Sequence, residues 1–275
     1  MKVRIAGLFV MGLAAALLSQ SARADWNPSQ PFKYLQMPDV SPMGMDVNAT
    51  WRPGLADGGG AWPFVKVLAD DFPCYQRGAI TDVHIWWSWL QDAVNPNAVF
   101  KLSIHDDIPA NVDPEMPWSH PGELRWQEFF GPTQYVKRPW APTPQEMFYE
   151  PNTQTFLGFD QTVWQYNFYP LEPFTQEGPG STGKPRVYWL DVTCILPSGS
   201  GEVFGWKTSV EHWNDDAVFG DTDNPGAPPY YWHELIDPRT GLSVDLAFVI
   251  TPEPATMALL GLGAAGLVAR RLRRK

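Results

Sequence analysis

The sequence predicts an all-β fold, an antiparallel β-sandwich of the jelly-roll kind, and three observations lead to this prediction. Short segments alternate apolar and polar side chains with a period of two, as strands do when one face is buried. Turn-forming stretches such as Asn95-Pro96-Asn97 separate these segments. Between residues 25 and 251, no segment combines an apolar stripe of period 3.6 with helix caps. Strands without crossover helices bury their apolar faces against each other, so we expect roughly eight to ten of them in two layers.

The clearest predicted strand covers residues 79–90. Its odd positions from Val83 to Trp89 are apolar, whereas Asp82 and His84 occupy even positions. Similar alternation recurs at residues 100–105, 124–129, 163–169, 187–195, 203–208 and 244–250. We expect the proline-rich residues 139–151 to run over the surface instead, because proline cannot donate to a sheet ladder.

The first 24 residues have the pattern of a secretory signal peptide. Two basic residues precede an apolar stretch at residues 5–18, and Ala22 and Ala24 are the small residues that signal peptidase accepts at −3 and −1. Cleavage after Ala24 would begin the exported protein at Asp25. A permanent N-terminal anchor is the alternative, because residues 5–18 are apolar enough to lie in lipid.

Residues 252–275 form a tripartite tail. Pro252-Glu253-Pro254 is followed by an uncharged apolar run of 15 residues at 255–269, and five of the last six residues are basic. An apolar run closed by positive charges is typical of a transmembrane helix that stops at the cytoplasmic face, although ~20 residues span a full bilayer core. The tail resembles the PEP-CTERM sorting signal of bacterial envelope proteins. This resemblance implies recognition by an exosortase, which would remove the tail and pass the protein to the cell surface; retention of the tail as an anchor stays open.

Between these ends we expect an irregular lead-in, residues 25–62, and one sandwich domain, residues 63–251. The lead-in shows little periodicity, but it contains Trp26 and Trp51, which suggests that it docks on the domain. The exported part carries 12 basic and 29 acidic side chains, a formal charge of −17. Such a charge argues against nucleic acid or anionic lipid as a partner and suits a soluble, exported protein.

The chain has two cysteines, Cys74 and Cys194. In an oxidising envelope such a pair favours a disulfide, which would stabilise the fold by about 4–5 kcal/mol in the chain-entropy model. The alternative is two unpaired thiols buried in separate places. Neither cysteine has the spacing of a CxxC redox motif or of a zinc site.

Tryptophans on polar strand faces predict a glycan-binding surface. Trp86 shares a strand face with Asp82 and His84, and Trp189 shares one with Asp191. A flat indole beside polar groups suits a sugar ring, whose apolar face stacks on the aromatic ring while its hydroxyls form hydrogen bonds. The alternative is that the lead-in or a proline-rich loop covers these indoles as ordinary core.

Aspartate-rich turns are candidates for bound Ca²⁺, which prefers hard oxygen ligands. The segment Asn214-Asp215-Asp216 is the main candidate, and Asp70-Asp71, Asp106-Asp107 and the aspartates at 221 and 223 are others. None has the full spacing of an EF-hand loop, so solvated turns and caps are the alternative. We expect any such ion to stiffen the fold rather than to take part in catalysis.

No catalytic residue is predicted. The sequence lacks the HxH and HExxH spacings of transition-metal sites, although His84 and His105 lie on neighbouring predicted strands. It also lacks a GxSxG nucleophile elbow. A carboxylate pair for glycoside hydrolysis cannot be chosen among 29 acidic residues, because the required separation is a distance in space.

Three strings in the body resemble an uncharacterised domain of exported bacterial PEP-CTERM proteins. They are Ala69-Asp70-Asp71-Phe72 with residues 80–86, residues 102–109, and residues 204–217. The resemblance covers about residues 63–250 and implies a surface location and a β fold, but no activity. We therefore expect a secreted, non-catalytic protein of the envelope or extracellular matrix that acts in adhesion or binds extracellular polysaccharide. A polysaccharide hydrolase or lyase and a purely structural coat component are the alternatives.

Overall fold

The computed structural model describes residues 25–53, 65–181, 183–222 and 231–251. The predicted signal peptide, residues 1–24, and the predicted sorting tail with its membrane helix, residues 252–275, lie outside the described residues. Within the described ranges, no helix is both long and apolar enough to span a bilayer.

The described residues form sixteen strands and one 3-10 turn at Leu90–Asp92. The strands are β1 (Tyr34–Gln36), β2 (Met45–Asn48), β3 (Thr50–Trp51), β4 (Val65–Cys74), β5 (Gly78–Ile80), β6 (Asp82–Trp89), β7 (Val99–Ile108), β8 (His120–Phe130), β9 (Tyr135–Glu150), β10 (Thr155–Phe168), β11 (Phe174–Gln176), β12 (Arg186–Ile195), β13 (Phe204–Lys207), β14 (Val218–Thr222), β15 (Trp232–Glu234) and β16 (Phe248–Thr251). The prediction of an all-β fold is confirmed.

Two seven-stranded sheets face each other. The first has the order β1-β16-β6-β10-β9-β2-β13, and the second has the order β15-β14-β4-β12-β7-β8 with β3 beside β12. Trp87 of the first sheet stacks on Phe100 of the second, with ring centroids 4.9 Å apart, and both belong to one core cluster that draws on both sheets. Most pairs are antiparallel as predicted, but β2–β9 and β3–β12 are parallel. The jelly-roll order stays a prediction.

Five strands of the first sheet close into a ring. The two ends of β6 have different neighbours along one edge, since residues 82–85 pair with β16 and residues 87–89 pair with β13. β13 then pairs with β2, β2 with β9, β9 with β10, and β10 returns to β6. Gly205 of β13 allows this close approach, because a Cβ there would collide with the Phe148 ring of β9.

We predicted an irregular lead-in for residues 25–62, but its described part forms three strands. β1 pairs with β16, β2 lies between β9 and β13, and β3 pairs with β12. Strands of two to four residues are too short to show an alternating pattern in the sequence. The lead-in is therefore part of the domain.

The prediction for residues 139–151 was wrong, because most of this segment belongs to the 16-residue strand β9. Pro139 and Pro142 lie opposite Trp164 and Thr162 of β10. Among the described residues, the other edge of β9 pairs only with β2, at Met147–Tyr149. The prolines thus lie where one edge of β9 is unpaired among the described residues, which is where sheets accept proline.

Candidate functional site

The strand face that carries Trp86 is covered, so the structure corrects its predicted exposure. Trp86 is 0% exposed. The Trp26 and Trp140 rings meet it edge-on, with centroids 5.7 and 5.3 Å away. Trp26 comes from the lead-in and Trp140 from the proline-rich strand β9, which is the covering that we named as the alternative.

The polar neighbours of Trp86 are also used within the protein. His84 is buried, and its Nδ1 atom lies 2.6 Å from Asn167 Oδ1. Its Nε2 atom lies 3.5 Å from Asp82 Oδ2. Asn167 in turn donates to Asp25 Oδ1 at 2.5 Å. These contacts tie Asp25 to the sheet and engage the polar groups that were predicted to meet a sugar.

The second predicted glycan face is buried as well. Trp189 belongs to a small apolar cluster with Trp232 and donates from Nε1 to Asp107 Oδ1 at 2.9 Å. Asp191 is buried between Lys101 Nζ at 3.0 Å and His105 Nε2 at 2.6 Å. Burial alone would raise the pKa of Asp191, but the Lys101 ammonium and the His105 hydrogen bond outweigh it and hold this pKa well below its usual range.

The two cysteines are free and buried, so the predicted disulfide is absent from the structure. Cys74 lies opposite Arg186 at the start of β12, whereas Cys194 lies near the end of the same strand. Eight residues of strand separate these positions by roughly 26 Å, and a disulfide needs Cα atoms within ~7 Å. The two unpaired thiols match the alternative.

The structure brings together an acidic cluster, by which we mean Asp70, Asp71, His212, Asn214, Asp216 and Asp245. Asp70 and Asp71 lie on β4, residues 212–216 lie in the loop between β13 and β14, and Asp245 lies just before β16. One donor atom each from His212, Asp216 and Asp245 lies within 4.8 Å of the others. Beside this group, the Asp71 Oδ2 atom accepts a 2.6 Å hydrogen bond from Asn214 Nδ2.

Hydrogen bonds from three backbone N–H groups and one side-chain amide hold the Asp70 and Asp245 carboxylates in place. Asp70 accepts from the N–H of Asp71 at 2.7 Å and from that of Leu246 at 2.6 Å. Asp245 Oδ2 accepts from Trp213 N at 2.9 Å and from Gln36 Nε2 at 2.6 Å. These bonds fix one oxygen of Asp245 and leave its Oδ1 to face His212 Nδ1 at 3.5 Å.

The electrostatics of the cluster are unfavourable for three ionised aspartates. Burial, reinforced by neighbouring carboxylates, raises the pKa of Asp71 to about 9. Burial also raises the pKa of Asp245 to about 6 and that of Asp70 well above its usual range. The basic side chain that lies within 4 Å of Asp245 among the described residues is the His212 imidazole, which is 52% exposed.

Two oxygens of the cluster, Asp71 Oδ1 and Asp245 Oδ1, are buried without a hydrogen-bond partner among the described residues. Buried polar atoms in native proteins nearly always have a partner. A hard cation that takes six to eight oxygen ligands would provide one here and would offset the excess negative charge. The arrangement is therefore suited to hold a cation.

The sequence found part of this cluster. Of the predicted ligands, Asp216 lies in one group with His212 and Asp245, whereas Asn214 donates to Asp71 and to Asp215. The main residue missed is Asp245. Its one available signal was a carboxylate beside Val244 and Leu246 in a segment predicted as strand.

A second group of charges lies inside the five-stranded ring. Lys207 of β13 lies opposite Asp46 of β2, and Glu146 of β9 lies opposite Asp160 of β10. The Lys207 ammonium is 2.5 Å from Glu146 Oε2 and 3.3 Å from Asp46 Oδ2. Burial would lower the pKa of Lys207, but these carboxylates raise it above its usual value. We call this the lysine cluster.

Residues 32–251 match a family described as a Domain of unknown function (DUF7901). The chain belongs to this family. The DUF7901 match begins well before residue 63, in agreement with the strands β1 to β3, and it contains the whole acidic cluster. Residues 251–274 match the PEP-CTERM protein-sorting motif. Comparison with curated proteins and with solved structures found no match.

The sorting motif establishes the location of this DUF7901 protein. It is an exported protein of the cell envelope, and its motif implies processing by an exosortase. The predictions of a PEP-CTERM signal and of an uncharacterised domain are thereby confirmed.

Proposed function

We propose that this protein is a non-catalytic component of the bacterial surface or extracellular matrix, that Ca²⁺ at the acidic cluster completes its fold, and that it acts in adhesion or carbohydrate binding. The observation that carries the calcium part is the pair of buried oxygens without partners, Asp71 Oδ1 and Asp245 Oδ1. Asp71, Asp216 and Asp245 come from three different segments of the chain. A bound ion would therefore connect β4, the loop before β14 and the segment before β16.

Calcium fits this cluster for two reasons. Carboxylate and amide oxygens are its preferred ligands, and Asp71, Asn214, Asp216 and Asp245 offer both kinds. In addition, an exported protein meets far more calcium than a cytosolic one, and extracellular modules bind it with dissociation constants of ~10⁻⁴–10⁻³ M. An ion of this affinity is sufficient to stabilise a fold.

Calcium binding is tested by titrating the purified protein in a calorimeter and by following thermal unfolding. At a hundredfold excess over the dissociation constant, the ion adds about 2.7 kcal/mol to the free energy of unfolding. A domain of this size then melts about 5–11 °C higher than in EDTA. Mn²⁺ and Zn²⁺ are titrated in parallel, since His212 is a ligand that those ions accept.

Asp245→Asn and Asp71→Asn are the variants that test the site. Each keeps the shape of the side chain but removes the carboxylate that would bind the ion, so calcium affinity and the melting shift fall together. Asp106→Asn is the matched control, because Asp106 belongs to another predicted acidic pair and lies 3.5 Å from Arg125. If EDTA and calcium leave the melting temperature unchanged, or if the control variant behaves like the other two, the calcium proposal fails.

The non-catalytic part of the proposal is tested against the hydrolase or lyase alternative. The purified protein is incubated with a panel of extracellular polysaccharides, and new reducing ends and unsaturated uronic acids are measured. We expect neither product. Release of either one above the level of a heat-denatured sample would replace the proposal with the enzyme alternative.

A further inference from the structure

A pocket lined by basic and aromatic residues lies where β4 ends. It has a volume of about 270 Å³, and its walls include Phe32, Lys33, Tyr75, Arg77 and Gln176. These residues come from the segment before β1, the turn between β4 and β5, and the strand β11. The pocket shares no residue with the acidic cluster, so its ligand is separate from the proposed calcium ion.

The charged residues that line this pocket, Lys33 and Arg77, are both basic, although the exported chain has 12 basic and 29 acidic side chains. Arg77 is exposed and forms no ion pair with another described residue. Glu177, which follows the lining residue Gln176, is engaged elsewhere, since Arg186 lies 2.5 Å and Arg125 3.3 Å from its carboxylate. Arg77 therefore presents a positive charge that no described carboxylate neutralises.

Lys33 is held at the pocket by two hydrogen bonds. Its backbone N–H donates to the Ile250 carbonyl of β16 at 2.7 Å. Its ammonium donates to Gln176 Oε1 at 3.0 Å, and Gln176 is buried. Gly78, which pairs with Gln176, leaves room for the ammonium, because a Cβ at Gly78 would crowd Lys33 Nζ at 3.0 Å. The charge is thus in place before any ligand arrives.

The side chains of the pocket offer more hydrogen-bond donors than acceptors. The guanidinium of Arg77 has five N–H donors and the ammonium of Lys33 has three, and neither group accepts. Lys33 engages the Gln176 oxygen, whereas Gln176 Nε2 is buried without a partner among the described residues. This amide adds its partial positive charge behind the two cations. A negatively charged, acceptor-rich group complements such a pocket.

Two aromatic side chains line the same pocket. Phe32 is 50% exposed and Tyr75 is 61% exposed. The buried Trp26 ring packs edge-on against Phe32, with centroids 6.4 Å apart, which restrains the Phe32 ring. Such rings gain by covering an apolar part of a ligand, which an inorganic anion lacks. The volume lies just below the ~300–1,000 Å³ of small-molecule sites, so there is room for one ring-sized group.

We infer that this pocket binds a small organic carboxylate, with its charge at Lys33 and Arg77 and its apolar body against Phe32 and Tyr75. A guanidinium suits a carboxylate in particular, because its planar N–H groups bind both oxygens at once. This inference goes beyond the proposed surface role and does not depend on calcium.

Calorimetry with benzoate and phenylacetate tests the inference. Phenylacetamide has the ring without the charge, acetate has the charge without the ring, and inorganic phosphate is an anion of another shape. We expect benzoate or phenylacetate to bind at least about tenfold more tightly than each of these three, because charge and ring contribute together. Binding should weaken as NaCl is raised, since salt screens exposed charges.

Variants of exposed residues locate the binding. Arg77→Gln removes the charge and is expected to weaken binding about tenfold. Tyr75→Ala is expected to weaken it about threefold to tenfold, because the ring contact is lost. Lys137→Gln on β9 and Phe129→Ala on β8 are the matched controls. Neither Lys137 nor Phe129 lines the pocket, so both controls should leave the affinity unchanged.

The inference is overturned if neither aromatic acid binds, or if phenylacetamide or phosphate binds as tightly as the better acid. Binding that survives both Arg77→Gln and Tyr75→Ala overturns it as well. Each variant is also titrated with calcium, and its calcium isotherm should match that of the parent protein. The two proposals fail separately, because loss of acid binding leaves the calcium isotherm unchanged, and acid binding in EDTA does not require the calcium site.

Discussion

Replacement of Lys207 by methionine tests the electrostatics of the lysine cluster. The Lys207 side chain is 0% exposed, and its ammonium is 2.5 Å from Glu146 and 3.3 Å from Asp46. Methionine fills a similar volume without the charge. The variant therefore leaves two buried carboxylates without their cation while the packing is largely kept.

The magnitude follows from the cost of breaking a buried ion pair. Removal of one partner lowers the free energy of unfolding by about 3–5 kcal/mol. For a domain of this size, each kcal/mol shifts the melting temperature by about 2–4 °C. Lys207→Met is therefore expected to melt about 6–20 °C below the parent protein.

The loss of stability caused by Lys207→Met should also depend on pH. Burial already raises the pKa of Glu146 to about 7 with Lys207 present, and loss of the ammonium raises it further. The ordinary pKa of Glu146 is about 4.5. Between this pH and the raised pKa, Glu146 is protonated in the folded variant and ionised in the unfolded chain. The stability of the variant therefore falls as pH rises through that window, so the deficit is smaller at pH 5 than at pH 8.

Urea unfolding at pH 5 and pH 8, followed by circular dichroism, measures both effects. Lys184→Met is the control, because Lys184 is exposed and such changes usually alter stability by less than ~0.5 kcal/mol. Adding Asp46→Asn and Glu146→Gln to Lys207→Met should restore part of the loss. A Lys207→Met protein as stable as its parent, or one with the same deficit at both pH values, would refute this reasoning.

Three further predictions concern buried groups. Trp86→Ala should lower the free energy of unfolding by about 3–5 kcal/mol, measured by urea unfolding, and a loss below 1 kcal/mol would show that Trp86 is not packed as described. Asp191, whose pKa is depressed, stabilises the fold above its unfolded pKa of ~3.9 and loses this effect as pH falls. Asp191→Asn should therefore be destabilised at pH 7, with a deficit that shrinks toward pH 3, and a deficit that does not depend on pH would contradict the ion pair. Cys74 and Cys194 should both react with a maleimide after unfolding without reductant, as read by mass spectrometry, and an unlabelled pair would reveal a disulfide.

The fold class was predictable because alternation and turn residues act locally. The segments predicted around β6, β7, β8, β12 and β13 all contain strands in the structure. The proline-rich strand β9 was missed for a specific reason. Proline is excluded from a strand mainly where both edges of that strand are paired. Whether the second edge of β9 is paired depends on β2, which lies about a hundred residues earlier in the chain.

The candidate sites were less predictable, because they depend on what covers a strand. Alternation placed Trp86 on the outer side of β6, but Trp26 and Trp140 cover it from distant parts of the chain. The acidic cluster likewise collects residues from three segments. Asp70-Asp71 and Asp216 were visible as aspartate runs, whereas only the fold reveals that the lone Asp245 joins them.

The position of β16 has a mechanical consequence. This last strand is hydrogen-bonded on both edges, to β1 and to β6, and both neighbours are antiparallel to it. The sorting motif begins at its final residue, Thr251. Any tension transmitted through the following residues therefore pulls along the axis of β16, so rupture requires both rows of hydrogen bonds to shear together instead of opening one after another. A surface protein attached at this point resists fluid drag better than one attached through an edge strand that could peel away.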